Sequence, residues 1–373
     1  MPEDWRQLQT RIEAQRGMSS FPPTEWGVGE IPAERYLAEE WLAVEREKVF
    51  RGPCWLLAGR TERIPEAGDY FVADVGTGGT IIVSRNREGR VRAFLNSCRH
   101  RGTELVAEAG NARHFRCPYH AWLYTLDGEL VSVPDEEQFY GLDKKQRGLV
   151  PVRVESWAGF VWVTLDPNAS PLEDYVADLL PQFAPYRLEE MVTVHQQTWE
   201  FPVNWKVIVD AFNEIYHVPG IHPQTVEPFL DVPAGVMDGF GWHTRMVLPF
   251  KFPDSVMRSP DMPELPVPAA AGLDPVQRNS DFHFTVFPNV QFNLLPNYAT
   301  LFVAVPIDAR RTRFTYAFFG YRPKDGEQRE YYERLNFAFL VPMNEDFANF
   351  PKVQRGIESR ANRGFLLNYQ EKR

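Results

Sequence analysis

Residues 96–122 read NSCRHRGTELVAEAGNARHFRCPYHAW and contain two short pairs of cysteine and histidine. One residue separates Cys98 from His100, two separate Cys117 from His120, and sixteen lie between the pairs. Each pair can place a thiolate and an imidazole on one tight loop, and two loops facing each other would supply four metal ligands. Two sulfurs and two nitrogens suit either a structural Zn²⁺ ion or a [2Fe–2S] cluster with cysteines on one iron and histidines on the other.

The composition is that of an ordinary globular protein. The chain has 373 residues, 44% of them hydrophobic, and its net charge of −10 argues against phosphate-bearing partners, because phosphate binding needs clustered Lys and Arg. Three cysteines are too few for a disulfide framework, which fits a reducing compartment. We see no signal peptide and no apolar run of the ~18 residues that a membrane helix needs. We therefore expect a cytoplasmic protein without nucleic-acid or membrane partners.

Three segments are expected along the chain. Residues 1–52 are predicted to form an arm and a helix, over residues 33–50, that pack on the last segment. Residues 53–165 contain short strand-like runs separated by Gly and Asp, which predict a small antiparallel β domain carrying the paired loops at one end. Residues 166–373 are predicted to form a second domain.

The second domain is predicted to combine a sheet with a long helix. A helical pattern covers residues 327–340, and a stretch rich in Pro and Ala, residues 252–278, predicts an irregular loop over a pocket. The strand-like segments are Val192–Phe201, Gly235–Leu248, Asp281–Leu295, Tyr298–Val305 and Arg313–Tyr321.

A second chemical constellation begins in residues 203–217, which predict a helix that is apolar almost all round and ends at residues 219–220. Asp210, Glu214 and His217 are spaced i, i+4 and i+7, so a helix would place them on one face. Buried carboxylates are costly unless they are paired or near a metal. The pattern therefore indicates a functional helix.

Two histidines and a carboxylate can complete this constellation. His222 follows the predicted helix break, so the chain can fold it back towards His217. An acidic pair, Glu345 and Asp346, stands in the C-terminal part. Two His and one carboxylate form the facial triad of non-haem Fe(II) oxygenases, which leaves coordination positions open for O₂.

These motifs resemble those of the α subunit of Rieske non-haem iron oxygenases of the aromatic-ring-hydroxylating type, over about residues 35–371. The resemblance implies an α+β chain with an N-terminal Rieske β domain and a C-terminal helix-grip catalytic domain, an antiparallel sheet around a long helix that leaves an apolar cavity. Its motifs are Cys98-x-His100-Arg-Gly, Cys117-Pro-Tyr-His120-Ala-Trp, Glu214-x-x-His217-x4-His222, and Glu345-Asp346 followed by Val353-Gln-Arg-Gly356.

The resemblance also implies the cofactors and their ligands. Each chain would carry one Rieske [2Fe–2S] cluster and one mononuclear Fe(II), use O₂, and receive electrons from NAD(P)H indirectly, through a reductase or ferredoxin. The cluster ligands would be Cys98, His100, Cys117 and His120, and the ligands of the mononuclear iron would be His217, His222 and Asp346, so that Glu345 is not a ligand.

Glu214 and Asp210 are the catalytic residues that the resemblance implies. In relatives the acid equivalent to Glu214 accepts hydrogen bonds from an iron-ligand histidine, here His217, and from a cluster-ligand histidine of the adjacent subunit, here His120. The chain is accordingly expected to form an α₃ homotrimer. The acid is more often Asp in the family, with Glu in carnitine-type members, and several aromatic dioxygenases have Asn where this chain has Asp210.

We expect the enzyme to hydroxylate a hydrophobic, aromatic substrate, by mono- or dioxygenation. An alternative is a Rieske monooxygenase that acts on a quaternary ammonium compound, which an aromatic cage would suit, or by oxidative N- or O-demethylation. Two remoter alternatives are a Rieske electron carrier and a zinc-stabilised binder of hydrophobic ligands. The residues expected to line the substrate pocket are Phe212, Phe284, Phe292, Leu294 and Phe302.

Overall fold

The computed structural model describes residues 5–16, 18, 30–252 and 266–371. Contacts divide the chain into two units. One unit comprises residues 44–175, and the other combines the described residues before Val44 with those from Val176 onward. Within the described residues, no helix has both the length and the apolar character needed to cross a bilayer.

The unit of residues 44–175 consists of two antiparallel sheets. The strand runs predicted in this part of the chain form because β-branched and aromatic residues favour a pleated, half-buried surface; every residue of the last strand is buried. A seven-stranded sheet has the order β1-β10-β9-β4-β3-β2-β5, and a three-stranded sheet the order β6-β7-β8. The strands are β1 Leu56–Arg60, β2 Asp69–Asp74, β3 Thr80–Arg85, β4 Val91–Leu95, β5 Gly110–Asn111, β6 His114–Arg116, β7 Leu123–Thr125, β8 Leu130–Ser132, β9 Pro151–Trp157 and β10 Phe160–Thr164.

The other unit is built on one large antiparallel sheet. Its seven strands have the order β11-β17-β16-β15-β14-β13-β12, in which all strands from β12 to β17 pair with their neighbours in sequence. All residues of β15, all of β14 except Asp281, and most of β16 are buried. The strands are β11 Met191–Phe201, β12 Val236–Phe240, β13 His243–Pro249, β14 Ser280–Val286, β15 Val290–Leu295, β16 Tyr298–Asp308 and β17 Arg311–Tyr321.

The helices of both units are mostly short. The exception is α8, which has 33 residues and runs well beyond the predicted residues 327–340, with Pro342 and Pro351 inside it. Each proline removes one backbone hydrogen bond, yet the helix continues. The helices are α1 Trp5–Arg16, α2 Glu39–Glu45, α3 Leu172–Tyr175, α4 Leu180–Phe183, α5 Trp205–Ala211, α6 Val218–Ile221, α7 Pro275–Arg278 and α8 Gly326–Glu358.

The predicted helix over residues 203–217 is wrong beyond Ala211. Helix α5 stops there, and α6 begins only at Val218, with Pro219 in its first turn rather than after its end. The Glu214 carboxylate accepts the backbone N–H of His217 at 3.1 Å. A continued helix would have given that N–H to the carbonyl of Asn213, so the side chain replaces the helical bond.

The N-terminal predictions are only partly comparable with the structure. Within the segment predicted as a packed arm, α1 forms a helix with ion pairs from Arg11 to Asp238 and from Arg16 to Asp231. The predicted helix over residues 33–50 is broken into a 3₁₀ turn, α2 and a wide final turn. Residues 17, 19–29 and 253–265, the last group within the predicted Pro- and Ala-rich loop, lie outside the described residues.

Candidate metal centres and substrate cavity

The first Cys/His pair lies on a tight turn between β4 and β5. The backbone N–H of Cys98 donates to Thr103 O at 2.9 Å, and that of Gly102 donates to Cys98 O at 2.9 Å. Gly102 has a φ of 81°, a left-handed conformation that glycine adopts without a steric penalty. The turn holds Cys98 and His100 on one short loop.

The second pair lies on a turn of the same kind between β6 and β7. Cys117 N–H donates to Trp122 O at 2.8 Å, and Ala121 N–H donates to Cys117 O at 3.0 Å. The left-handed position is occupied here by Ala121, with a φ of 58°. A non-glycine residue in this region carries strain, which is common where a loop is held for function.

The two loops bring buried, unsatisfied ligand atoms together. Cys98 and Cys117 are free and buried, and the rings of His100 and His120 lie 4.7 Å apart between centroids. The Nδ1 atoms of both histidines are buried and have no hydrogen-bond partner. Buried polar atoms are normally paired, so two unpaired imidazole nitrogens beside two free thiols fit a bound metal centre.

The spread of these four residues favours a cluster over a single ion. Among the described residues, His217, His222 and Asp346 form the one set of three whose candidate ligand atoms lie within 4.8 Å of one another. The ligands of a tetrahedral Zn²⁺ would satisfy the same limit, because metal–ligand distances are about 2.0–2.3 Å. The Cys/His residues do not satisfy it, as expected for ligands that span two irons.

Aromatic side chains hold the cluster-binding loops in place. The Trp122 ring stacks on His100 with centroids 4.9 Å apart, and the Tyr119 ring stacks on His120 at 3.7 Å. The Tyr124 hydroxyl lies 3.3 Å from Cys98 Sγ and accepts the backbone N–H of Arg99 at 3.0 Å. These contacts fix the ring and sulfur positions.

The second centre joins the two ends of α6, at His217 and His222, to the middle of α8. Asp346 Oδ1 lies 3.1 Å from His222 Nε2 and 3.7 Å from His217 Nε2. Asp346 belongs to the buried stripe of α8, which also contains Asn336, Met343 and Phe350. The helical spacing of these residues can be read from the sequence, and it assigns Asp346 rather than its neighbour Glu345 to the buried face of α8.

The remaining nitrogen of each histidine is bound by a glutamate. His217 Nδ1 lies 2.5 Å from Glu214 Oε1, and His222 Nδ1 lies 2.6 Å from Glu345 Oε2, which also accepts the Thr225 hydroxyl at 2.6 Å. Such carboxylates fix the tautomer of a metal-binding imidazole, with the proton on Nδ1 and the lone pair on Nε2. The roles of Glu345 and Thr225 are absent from the sequence-based prediction.

Asp210 has a different environment from Glu214, although the prediction placed them on one helical face. Its carboxylate accepts the Tyr36 hydroxyl at 2.6 Å, whereas that of Glu214 accepts from His217. Asp210 and Glu214 line one cavity of about 600 Å³, together with Tyr36 and Glu371.

A smaller cavity of about 330 Å³ opens beside the second centre, between α8 and the sheet. His217, His222 and Asp346 form part of its wall. Much of the remaining wall is apolar. Its apolar lining includes Phe212, Ile215, Phe229, Met246, Leu248, Leu295, Phe302, Leu335, Phe339 and Met343.

Two of the residues predicted to line the substrate pocket, Phe212 and Phe302, lie on the wall of this cavity. The other three, Phe284, Phe292 and Leu294, do not line it. Phe284 and Phe292 instead contact the Phe183 ring, with centroids 4.8 and 5.5 Å away. Successive side chains of a strand point to opposite faces of the sheet, so the intervening residues line the cavity.

Three of those intervening residues, Asp281, His283 and Asn293, form a polar row on the cavity wall. His283 Nδ1 lies 2.6 Å from Asn293 Oδ1, and the Asn293 amide donates to the Thr300 hydroxyl at 3.1 Å. Asp281 lines the same cavity, and its Oδ1 atom is buried without a hydrogen-bond partner. Burial raises the pKa of Asp281 to about 7.

Two family models match the chain. Residues 54–157 match the Rieske [2Fe-2S] domain, and residues 188–373 match the ring hydroxylating alpha subunit (catalytic domain). The carnitine monooxygenase oxygenase subunit of Acinetobacter pittii is 32% identical over 90% of this chain and 86% of its own length. The chain belongs to the Rieske oxygenase α subunits.

Other relatives and solved structures agree with this family. The biphenyl 2,3-dioxygenase subunit alpha of Rhodococcus jostii is 34% identical over 57% of this chain and 46% of its own length. The quaternary ammonium Rieske monooxygenase CntA in complex with L-carnitine superimposes with a TM-score of 0.77, at 25% identity over 93% of this chain and 92% of that one. Naphthalene 1,2-dioxygenase from Rhodococcus sp. bound to indole superimposes with a TM-score of 0.73, at 28% identity over 98% of this chain and 88% of that one.

The predicted family, fold class and enzyme class are confirmed. As a Rieske oxygenase α subunit, the chain is an oxidoreductase that takes one [2Fe–2S] cluster and one mononuclear iron, and works with O₂ and electrons from a reductase or ferredoxin. The alternatives of an electron carrier and of a zinc-stabilised ligand binder are thereby set aside.

Proposed function

We propose that this Rieske oxygenase oxidises its substrate in the 330 Å³ cavity, at an iron held by His217, His222 and Asp346. The observation that carries the proposal is the convergence of these three side chains, with ligand atoms within 4.8 Å of one another, on the wall of an otherwise largely apolar cavity. Bound there, Fe(II) would activate O₂ at coordination positions that the facial triad leaves open.

The chain's own residues prepare this site. Glu214 and Glu345 accept the Nδ1 protons of His217 and His222, which directs both Nε2 lone pairs to the metal position. Asp346 adds a carboxylate oxygen, a hard ligand that two neutral imidazoles lack. The apolar side chains of the cavity wall exclude water from the reacting groups.

We propose that the [2Fe–2S] cluster, which accepts electrons from the reductase, is held by Cys98, Cys117, His100 and His120. The support is the pair of unpartnered Nδ1 atoms beside two buried free thiols. Neutral imidazoles in place of two thiolates raise the reduction potential of such a cluster.

We also propose that the chain assembles as an α₃ ring in which Glu214 connects His217 to His120 of the neighbouring subunit. In this chain Glu214 accepts the imidazole and the backbone N–H of His217, one with each oxygen. Each carboxylate oxygen has a second lone pair, so a further imidazole N–H can still be accepted.

The cavity supports a substrate with a hydrophobic body. Phe212, Phe302 and Phe339 provide aromatic surface, as the predicted aromatic substrate requires. A quaternary ammonium substrate is the second candidate, since the carnitine monooxygenase oxygenase subunit covers nearly the whole chain and a carboxylate, Asp281, lines the same cavity.

Metal analysis and O₂ uptake test this function. Three irons per chain, two of them released with acid-labile sulfide, and substrate-dependent O₂ uptake with NADH and a surrogate reductase are expected. Iron in a strict one-to-one ratio with sulfide would show that the second centre does not bind iron, and stoichiometric zinc would contradict the proposal outright.

A further inference from the structure

Asp281 is a partly buried acid whose Oδ1 atom is buried, and it has no visible structural purpose. It lies on β14 opposite Leu248 of β13, and both side chains line the 330 Å³ cavity. Its Oδ1 atom has no hydrogen-bond partner. In the part of the chain that the structure describes, no Lys, Arg or His forms an ion pair with it.

Such a residue is expensive for the fold. Polar groups in protein interiors are hydrogen-bonded and buried charges are paired, because desolvation is otherwise uncompensated. An apolar residue would suit the position, as Leu248 does on the next strand. When such a group faces a ligand cavity, a bound ligand can supply its missing hydrogen-bond or charge partner.

The other carboxylates on the cavity wall already have partners. Glu214 accepts from His217, and Asp346 faces the two imidazoles of the iron site. Asp281 is therefore the carboxylate that remains available to a molecule in the cavity.

We infer that Asp281 binds a positively charged nitrogen of the substrate and so selects alkylammonium compounds over neutral ones of the same shape. The inference rests on the proposed function, because it assigns the cavity to the substrate. A cation would provide the positive partner that the Asp281 carboxylate lacks. Aromatic faces in the same cavity, at Phe212, Phe302 and Phe339, also attract cations. A protonated amine would in addition donate an N–H to Oδ1, whereas a quaternary ammonium would interact through charge alone.

Three small probes separate charge from shape. Choline and 3,3-dimethylbutan-1-ol differ only in a nitrogen for a quaternary carbon, and N,N-dimethylethanolamine is a protonated amine with an N–H. We expect calorimetric titration of the holoprotein at pH 8 to give at least ~10-fold tighter binding of a charged probe than of the neutral alcohol. If choline binds more tightly than the amine, the substrate is a quaternary ammonium compound. If the amine binds more tightly than choline, the substrate is an amine that donates an N–H.

The Asp281→Asn variant should lose this preference and bind the three probes with similar affinities. Asp281→Glu keeps the charge and should retain a preference. Asp178→Asn is the matched control, since Asp178 is exposed and does not line the cavity, and it should behave like wild type. Wild-type protein that binds the charged probes no better than the alcohol, or an Asp281→Asn variant that keeps the preference, would overturn the inference.

Iron analysis of the same samples keeps this test separate from that of the proposed function. A protein that prefers the charged probes but holds no mononuclear iron would contradict the assigned iron site and leave the role of Asp281 standing. A fully metallated protein that shows no preference for the charged probes would support the assigned iron site and contradict the role of Asp281. Because wild type alone can overturn the inference, poor folding of a variant does not remove the test.

Discussion

A residue that serves a ligand should cost stability when the ligand is absent, and Asp281 allows that cost to be measured. Its pKa is about 7 in the fold, against 3.8 for an ordinary Asp. The ionised form is thus disfavoured in the folded protein, so the penalty begins above pH 3.8 and is complete above pH 7. At 1.36 kcal/mol per pKa unit the penalty reaches up to about 4 kcal/mol.

We therefore expect Asp281→Asn to raise the Tm by several degrees at pH 8, with a gain that shrinks as the pH falls towards 4. Thermal melts from pH 4.5 to 8.5 without ligand would measure it. Asp178→Asn should show no such trend. A variant that is less stable than wild type at pH 8 would mean that Asp281 has a structural partner.

The two neighbouring acids of α8 should differ in their effects on the mononuclear iron. Asp346→Ala removes the carboxylate nearest both Nε2 atoms, so we expect loss of this iron and of turnover. Glu345→Ala removes only the support of His222, which should weaken iron binding by about 10- to 100-fold. Both variants should keep the cluster spectrum. If Asp346→Ala keeps its mononuclear iron and Glu345→Ala loses it, then Glu345 is the iron ligand and Asp346 is not.

Glu214→Gln should impair electron transfer while both metal centres stay filled. Both partners of Glu214 within the chain are N–H donors of His217. An amide must turn its NH₂ towards one of them, and an unpaired buried donor costs about 1–3 kcal/mol. Stopped-flow reoxidation of the prereduced protein with substrate and O₂ should slow sharply. Wild-type rates in fully metallated Glu214→Gln would show that the electrons take another route.

At the scale of elements, α8 is held against the sheet by a contact that leaves no room for a side chain at Gly320. A Cβ there would lie 2.4 Å from the Tyr332 ring. The Tyr332 hydroxyl accepts the backbone N–H of Tyr321 at 2.9 Å and donates to Asn297 O at 3.2 Å, so the ring cannot easily move.

Gly320→Ala should therefore destabilise the catalytic unit by about 1–3 kcal/mol through overpacking. Gly356→Ala is the matched control within α8, because a Cβ there meets nothing within 4 Å. It should be neutral or stabilise the helix by up to about 1 kcal/mol. Thermal melts of both variants decide the point, and equal Tm values would show that α8 adjusts its position on the sheet.

At the scale of the whole molecule, the α₃ proposal predicts complementation between inactive chains. His120→Ala should lose the cluster and Asp346→Ala the mononuclear iron, so each homotrimer should be inactive. If electrons pass between neighbouring subunits, mixed trimers contain intact clusters beside intact irons and should recover part of the wild-type turnover. Differently tagged chains, coexpressed and purified through both tags, provide the sample. Inactive mixed trimers with full complements of the expected metals would place electron transfer within one chain.

The sequence by itself determined that each cysteine shares a turn with a histidine, because the two members of each pair are at most three positions apart. It also determined the antiparallel strands and the family. It did not determine where the helix after Asn204 ends, since Ala211 is followed by side-chain bonds: the Asn213 amide oxygen accepts the hydroxyls of Thr244 and Thr285 at 3.1 and 2.7 Å. Such long-range bonds override local helix propensity.

Only the tertiary structure decided which residues face the 330 Å³ cavity. Residues 281–285 read Asp-Phe-His-Phe-Thr. This alternation gives a strand one apolar and one polar face, and Phe284, on the apolar face, is one of the residues expected to line the pocket. The fold instead packs Phe284 against Phe183 and turns Asp281 and His283 into the cavity beneath α8. A two-residue period identifies two faces but does not state whether the polar one meets bulk water or an enclosed cavity, because that depends on which distant element covers it.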